Sequence, residues 1–329
     1  MSSPKSSLFT LPAKFRTASA PHIASGIGVR TLMLDVLIAL LPALGVSVYF
    51  FGLRALILVL VCMGSCAVFE LACCLLMKKA VSVGDLSACV TGMLLAMTLP
   101  VSAPYWMAVI GCLFAIVVVK QLYGGLGKNF MNPALAGRVF LLSFPALMNT
   151  WVSAGSGAAD AVTSATPLVS LKQGLLPGSS LSELLVGAHS GSLGEVSAIA
   201  LILGGLYLIL RKTISPRIPV CFLGTVALLT FLFPRGGNDP LEWMCYSLLS
   251  GGLLLAAIFM ATDCVTSPVT PAGQILYAVG CGALTVFLRY FGAFPEGAGF
   301  AILIMNALVW LLDKAGMPRR VRAKGGQEP

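Results

Sequence analysis

Between Thr31 and Leu312 the chain is a succession of apolar runs joined by short polar connections. Ten runs can be drawn, at about 32–50, 54–77, 84–99, 104–122, 134–149, 196–210, 217–233, 242–261, 271–290 and 299–313. A bilayer-spanning helix needs roughly 20 such residues. A water-soluble fold could not bury so many runs, since 58% of the chain is hydrophobic and only 10% charged, against roughly a quarter charged in soluble proteins. The expected fold class is therefore an all-α polytopic membrane protein with about ten transmembrane helices. The third and fifth runs fall short of a full crossing, which points to broken or re-entrant helices there. The 35 glycines and 19 prolines suit close helix packing and interrupted helices.

The formal charge of +9 lies at the edges of apolar runs and in the tail after Asp313, where Lys314, Arg319, Arg320, Arg322 and Lys324 cluster. That pattern fits topology signals and contact with anionic lipid. It lacks the aromatic interleaving of a nucleic-acid surface, so nucleic acid is not an expected partner. With a cytoplasmic N-terminus, 17 of the 21 lysines and arginines fall inside, leaving Arg54, Lys172, Arg235 and Arg289 outside. Both termini are then cytoplasmic, and the longest polar connection, 151–195, faces out. The first 30 residues have no short apolar core leading to a cleavage site and read as a retained tail.

The ten cysteines sit mostly inside apolar runs, with none in 151–195, and read as buried small hydrophobes rather than a disulfide framework. His22 and His189 fall on opposite expected faces, which leaves no histidine metal site. No residue is arranged as a conventional acid, base or nucleophile.

The runs divide into a cytoplasmic tail (1–31), a first five-helix repeat (32–150), the external segment (151–195), a second five-helix repeat (196–313) and a cytoplasmic tail (314–329). An odd number per half inverts the halves. Two internal likenesses agree with inversion. Leu95-Ala-Met-Thr-Leu-Pro100 echoes Phe259-Met-Ala-Thr-Asp-Cys264, and Asn129-Phe-Met-Asn-Pro-Ala134 echoes the Met305-Asn-Ala307 of the last run. Inversion would bring both broken elements toward one midplane site.

The Gly124–Pro133 stretch lacks the GxxxxGK[ST] spacing of a nucleotide-binding loop. Its glycines allow close backbone approach, Asn129 and Asn132 bring uncharged donors and acceptors to the membrane edge, and Pro133 suits a helix start. The stretch reads either as a structural turn or as one that also lines an ion, electron or cofactor path. Thr262-Asp-Cys-Val-Thr-Ser-Pro268 gathers Asp263 with the hydroxyls of Thr262 and Thr266. A carboxylate at a broken helix is either a functional site or a cap. Glu70, the most internal acid, is either an ion-coupling residue or the partner of a neighbouring span. In the external segment Thr166 is an exposed hydroxyl, held extended by Pro167.

Taken in order and spacing, Pro21-His22, Leu95–Pro100, Gly127–Ala134, Asp160–Thr166, Thr262–Pro268 and Ala301–Asn306 resemble RnfD, a membrane component of the ion-translocating Rnf electron transport complexes. The chain more distantly resembles NqrB of the sodium-translocating NADH:quinone reductases. The resemblance covers about residues 20–315. It implies FMN esterified through its phosphate to Thr166 by a separate magnesium-dependent flavin transferase, with Asp160, Thr163, Ser164 and Ala165 forming the attachment motif. Ser164 stands where glycine is common, and Cys264 where proline is expected.

The same resemblance implies a multi-pass component of a bacterial inner membrane complex. That component relays electrons among membrane and soluble redox subunits, between ferredoxin and NAD, while sodium ions or protons move. Asp263, Glu70, Thr262 and Thr266 are its ion-coupling candidates, and a second, noncovalent flavin is left open. The competing reading is an inverted-repeat solute transporter or channel without a redox role.

Overall fold

The computed structural model describes residues 28–148, 150–152 and 166–316, and these form an assembly of helices. The first three are α1 (Val29–Phe51), α2 (Leu53–Leu76) and α3 (Ser87–Met97). Next come α4 (Tyr105–Leu113), which runs on as a π-helical stretch (Phe114–Gln121), α5 (Pro133–Leu141) and α6 (Pro145–Met148). Two short helices, α7 (Pro167–Lys172) and α8 (Leu181–Val186), precede α9 (Ala198–Leu210), α10 (Arg217–Leu232) and α11 (Pro240–Leu249). The chain closes with α12 (Leu253–Leu255) continued by a π-helical stretch (Ala256–Met260), then α13 (Pro271–Phe291), α14 (Ala298–Ala307) and α15 (Val309–Gly316).

Among the described residues, α1, α2 and α13 are long and apolar enough to cross a bilayer alone. Two further apolar pairs are bent, by 66° at the break after α11 and by 62° between α14 and α15. Helices α3, α9, α10 and the joined α4 stretch are apolar but shorter. The protein is thus an all-helical, multi-pass membrane protein. The third and fifth expected runs are short, as their lengths required: α3 stops at Met97, and the fifth divides into α5 and α6. The break in the tenth run and both π-helical stretches have no signature in the hydropathy pattern.

The exterior carries long apolar side chains such as Leu41, Leu60, Val68, Leu206 and Phe287, the surface a lipid solvent demands. Small residues set the close contacts inside. A Cβ on Gly204 of α9 would lie 2.1 Å from the Ala39 carbonyl oxygen of α1, and one on Gly92 of α3 would lie 2.7 Å from that of Cys62 in α2. These helices therefore pack nearly backbone to backbone. Cys62, Cys66 and Cys112 fill the core between α2 and α4, and the described cysteines are all free thiols.

Candidate functional site

Helix α5 is where the sequence builds its site. The Gly124–Asn132 approach turns with three glycines at positive φ, +119° at Gly124, +95° at Gly125 and +88° at Gly127, a conformation that a side chain would strain. The turn delivers Asn132 as the N-cap. Its amide oxygen accepts from the backbone N–H groups of Ala134 (3.0 Å) and Leu135 (3.3 Å), and Pro133 occupies the first helical position, where no donor is lost. The same amide donates to the Met260 carbonyl at the end of the second π-helical stretch (3.2 Å). Asn306 of α14 completes the junction, its amide accepting from the Asn132 backbone N–H (3.1 Å) and donating to the Thr266 carbonyl (3.2 Å). The two asparagines paired by the internal likeness thus bond to each other in the middle of the bundle.

A cleft opens on either side of this junction. The first, of about 810 Å³, is lined by Ser87, Lys120, Asn129, Asn132, Thr262 and Asp263 together with apolar residues of α1 and α3. Asp263 accepts from the Thr266 hydroxyl (3.0 Å), which is itself buried. The Asn129 amide oxygen has no partner among the described residues.

Glu70 lies behind this wall, fully buried. One of its carboxylate oxygens accepts from Lys120 Nζ (2.9 Å), Gln121 Nε2 (3.0 Å) and the Ser82 hydroxyl (2.8 Å). Lys120 also donates to Ser87 (2.7 Å). Lys120 and Gln121 close the π-helical stretch, where Leu122 N–H bonds the carbonyl of Val117 (3.0 Å). A π turn of this kind is a frequent mark of functional positions. Glu70 is paired in the structure, with Lys120 as its counter-charge, and keeps its place among the ion-coupling candidates.

The second cleft, of about 1280 Å³, lies at the other end of α5 and contains Thr166. Trp151, Phe294 and Phe300 wall it, with Arg138, Glu195 and Glu296 at its charged side. Phe294 and Phe300 stack at 5.6 Å. Thr166 is 6% exposed, so the expectation of an exposed hydroxyl is corrected. Pro167 starts α7 directly after it and tucks the threonine inward. Asp160, Thr163, Ser164 and Ala165 lie outside the described residues.

Arg138 is 7% exposed and forms an ion pair with Glu296. The charge tally counted Arg138, inside the fifth run, on the inner side. The structure puts it inside α5, facing the Thr166 cleft, and Lys120 is likewise interior. Both are structural charges rather than topology signals.

A small pocket of about 20 Å³, lined by Thr98, Leu135, Arg138, Glu195 and Met260, lies between the charged side of the second cleft and the junction. Arg289 flanks it and donates to the carbonyls of Ser247 (2.6 Å) and Ser250 (3.0 Å). It thereby caps the end of α11 where Gly251 (φ +72°) turns the chain.

Burial, then the adjacent charge of Glu296, pushes the Glu195 carboxyl up to about 8. The folded protein therefore holds a proton that the unfolded chain releases near the ordinary carboxyl value. Stability is highest below that value and falls as pH rises toward about 8. Glu195→Gln is expected to flatten this fall, read as melting temperature against pH in detergent. An unchanged slope would mean that Glu195 is already ionised.

Thr166, named from the sequence, lines the second cleft, whereas the Arg138, Glu195, Glu296 and Arg289 cluster was not legible in the sequence. Its members are separated by up to 158 positions and only the folded chain brings them together. The one sequence hint was a set of charges inside or beside apolar runs.

Comparison with known proteins agrees with this architecture. The family described as NQR2, RnfD, RnfE matches residues 16–322. The chain is 47% identical, over 90% of its length and 92% of the relative's, to the D-subunit of the Na(+)-translocating ferredoxin:NAD(+) oxidoreductase complex of Acetobacterium woodii. It is 42% identical, over 92% and 95%, to the D-subunit of the proton-translocating ferredoxin:NAD(+) oxidoreductase complex of Clostridium ljungdahlii. To the D-subunit of the ion-translocating oxidoreductase complex of Stutzerimonas stutzeri it is 40% identical, over 88% and 91%. With the match running through nearly the whole chain, this protein belongs to the NQR2, RnfD, RnfE family.

Proposed function

We propose that this chain is the flavin-bearing membrane subunit of an ion-translocating ferredoxin:NAD oxidoreductase complex, carrying FMN as a phosphoester on Thr166. The observation that carries the reading is the position of the Thr166 hydroxyl, buried in the wall of a 1280 Å³ aromatic-lined cleft. The enclosed part of that space, about 420 Å³, falls within the usual range for small-molecule sites. Trp151, Phe294 and Phe300 offer ring faces to a planar heterocycle. When bound, FMN supplies one- or two-electron chemistry. The residues around it exclude water, orient the ring and set the local charge.

The chain crosses the membrane about ten times in two inverted halves, 32–150 and 196–313, with both termini cytoplasmic and Thr166 on the outer side. Three features support that topology: the lysine and arginine bias, the odd number of runs per half, and the Asn132–Asn306 contact. Asp263, Thr262 and Thr266 at the first cleft serve the coupled movement of sodium ions or protons, with Glu70 and Lys120 setting the charge behind them. Asn129 and Asn132 belong to this end of the path. They lie away from the Thr166 cleft and suit a second, noncovalent flavin or the ion route. The other membrane and soluble subunits, and the flavin transferase, are the expected partners.

Denaturing electrophoresis under ultraviolet light, after coexpression with the transferase, tests the reading. A fluorescent wild-type band that Thr166→Ala abolishes is the expected result. A dark wild-type band would favour a transporter or a bare membrane anchor.

A further inference from the structure

Arg138 holds an unused charge-bearing donor. Its side chain is 8% exposed, and one guanidinium nitrogen is committed to Glu296. The other terminal nitrogen, Nη1, is buried and has no partner among the described residues. A guanidinium N–H withdrawn from water and left without an acceptor pays the full desolvation penalty, which is larger for a charged group. Its retention against the wall of a large cleft points to an acceptor that arrives from outside the chain.

The charges around it favour an anion. Arg289 lies on the far side of the small cavity and also keeps a buried, unpartnered Nε. Glu296 is already paired with Arg138. Burial and the adjacent Glu296 push the Glu195 carboxyl up, toward its neutral form. Two guanidiniums thus face about one carboxylate, leaving the region with excess positive charge in a place where Coulomb interactions are weakly screened.

We propose that Arg138 is the phosphate-recognising residue of the outer cleft, its free Nη1–H and its charge taking a phosphoester oxygen of the flavin carried at Thr166. The inference rests on the flavin reading of that cleft and deepens it. Thr166 supplies the covalent anchor, and Arg138 fixes the phosphate so that the ring turns toward Trp151, Phe294 and Phe300 instead of the open mouth. Arginine suits the task because its planar fork serves Glu296 and a phosphate oxygen together. Glu296 is then a positioning residue that aims the fork.

The test uses the full-length chain made without the transferase, so that Thr166 is unmodified, titrated separately with FMN and with riboflavin. Binding in the outer cleft is read as the tryptophan quenching that a Trp151→Phe control loses. The two ligands differ only in the phosphate, so their affinity ratio isolates the contact. A charge-assisted bond predicts that wild type prefers FMN by roughly 10- to 100-fold. Arg138→Gln should bring the ratio to about one by weakening FMN and leaving riboflavin alone, and Arg138→Lys should recover part of the preference.

The double variant Arg138→Gln/Glu296→Gln strands no carboxylate and guards against misfolding. It should also show no preference. Equal wild-type binding of the two ligands, or a preference surviving in the double variant, overturns the inference. Failure of the flavin reading shows itself separately, as the dark band in the coexpression experiment.

Discussion

Lys120→Met is expected to destabilise the chain by about 3–5 kcal/mol, the cost of leaving a buried charge without its partner. Lys120 is 1% exposed and Glu70 fully buried. The ammonium is the only cation among the described partners of the Glu70 carboxylate, and one of that carboxylate's oxygens already lacks a hydrogen bond. The remaining donors, Gln121 and Ser82, are neutral and cannot offset the desolvation of a full charge. Circular dichroism melts in detergent should show the loss. The double variant Lys120→Met/Glu70→Leu should recover most of it, because an apolar pair of similar volume often matches a buried ion pair in stability. A single variant that melts like wild type would show that the fold does not depend on the Glu70–Lys120 pair.

Asn132→Leu is the second large effect, about 2–4 kcal/mol. Loss of the N-cap contributes about 1 kcal/mol, and stranding the Met260 carbonyl adds roughly 1–3. Asn132→Asp separates the two contributions, since its carboxylate still accepts from Ala134 and Leu135 but no longer donates to Met260. On the proposed reading, ions moved per electron in the intact complex should fall in Asn132→Leu while flavin fluorescence at Thr166 stays. An unchanged ion-to-electron ratio would place the ion route elsewhere.

Hydropathy made the membrane character legible because burial in lipid writes itself into long stretches of sequence. It marked α3 and α5 as short for the same reason. Asn132 was legible as a helix start through its following proline, and the glycines before it through their bunching. The π-helical stretches were not, because a widened turn preserves composition and shifts only register. The Glu70–Lys120 pair depends on that register and on a contact spanning 50 positions. Arg138 misled the charge tally because basic residues near the end of an apolar run look alike whether they face lipid headgroups or a buried carboxylate. Thr166 was named from its motif, but its burial comes from a cleft shared with residues as distant as Phe294 and Phe300, which the local sequence does not encode.

The two clefts approach each other along α5, where Ala134 lines one and Arg138 the other. Four residues of α-helix span only about 6 Å, whereas the hydrocarbon layer is about 30 Å thick. In the proposed topology, with the two clefts opening to opposite faces and admitting water, the membrane voltage falls across this thin septum instead of the full thickness, giving a local field several times the average. One elementary charge crossing from the Asp263 side to the Glu195 side would then feel nearly the whole potential, about 2.3 kcal/mol per 100 mV, in a step little longer than one helical turn.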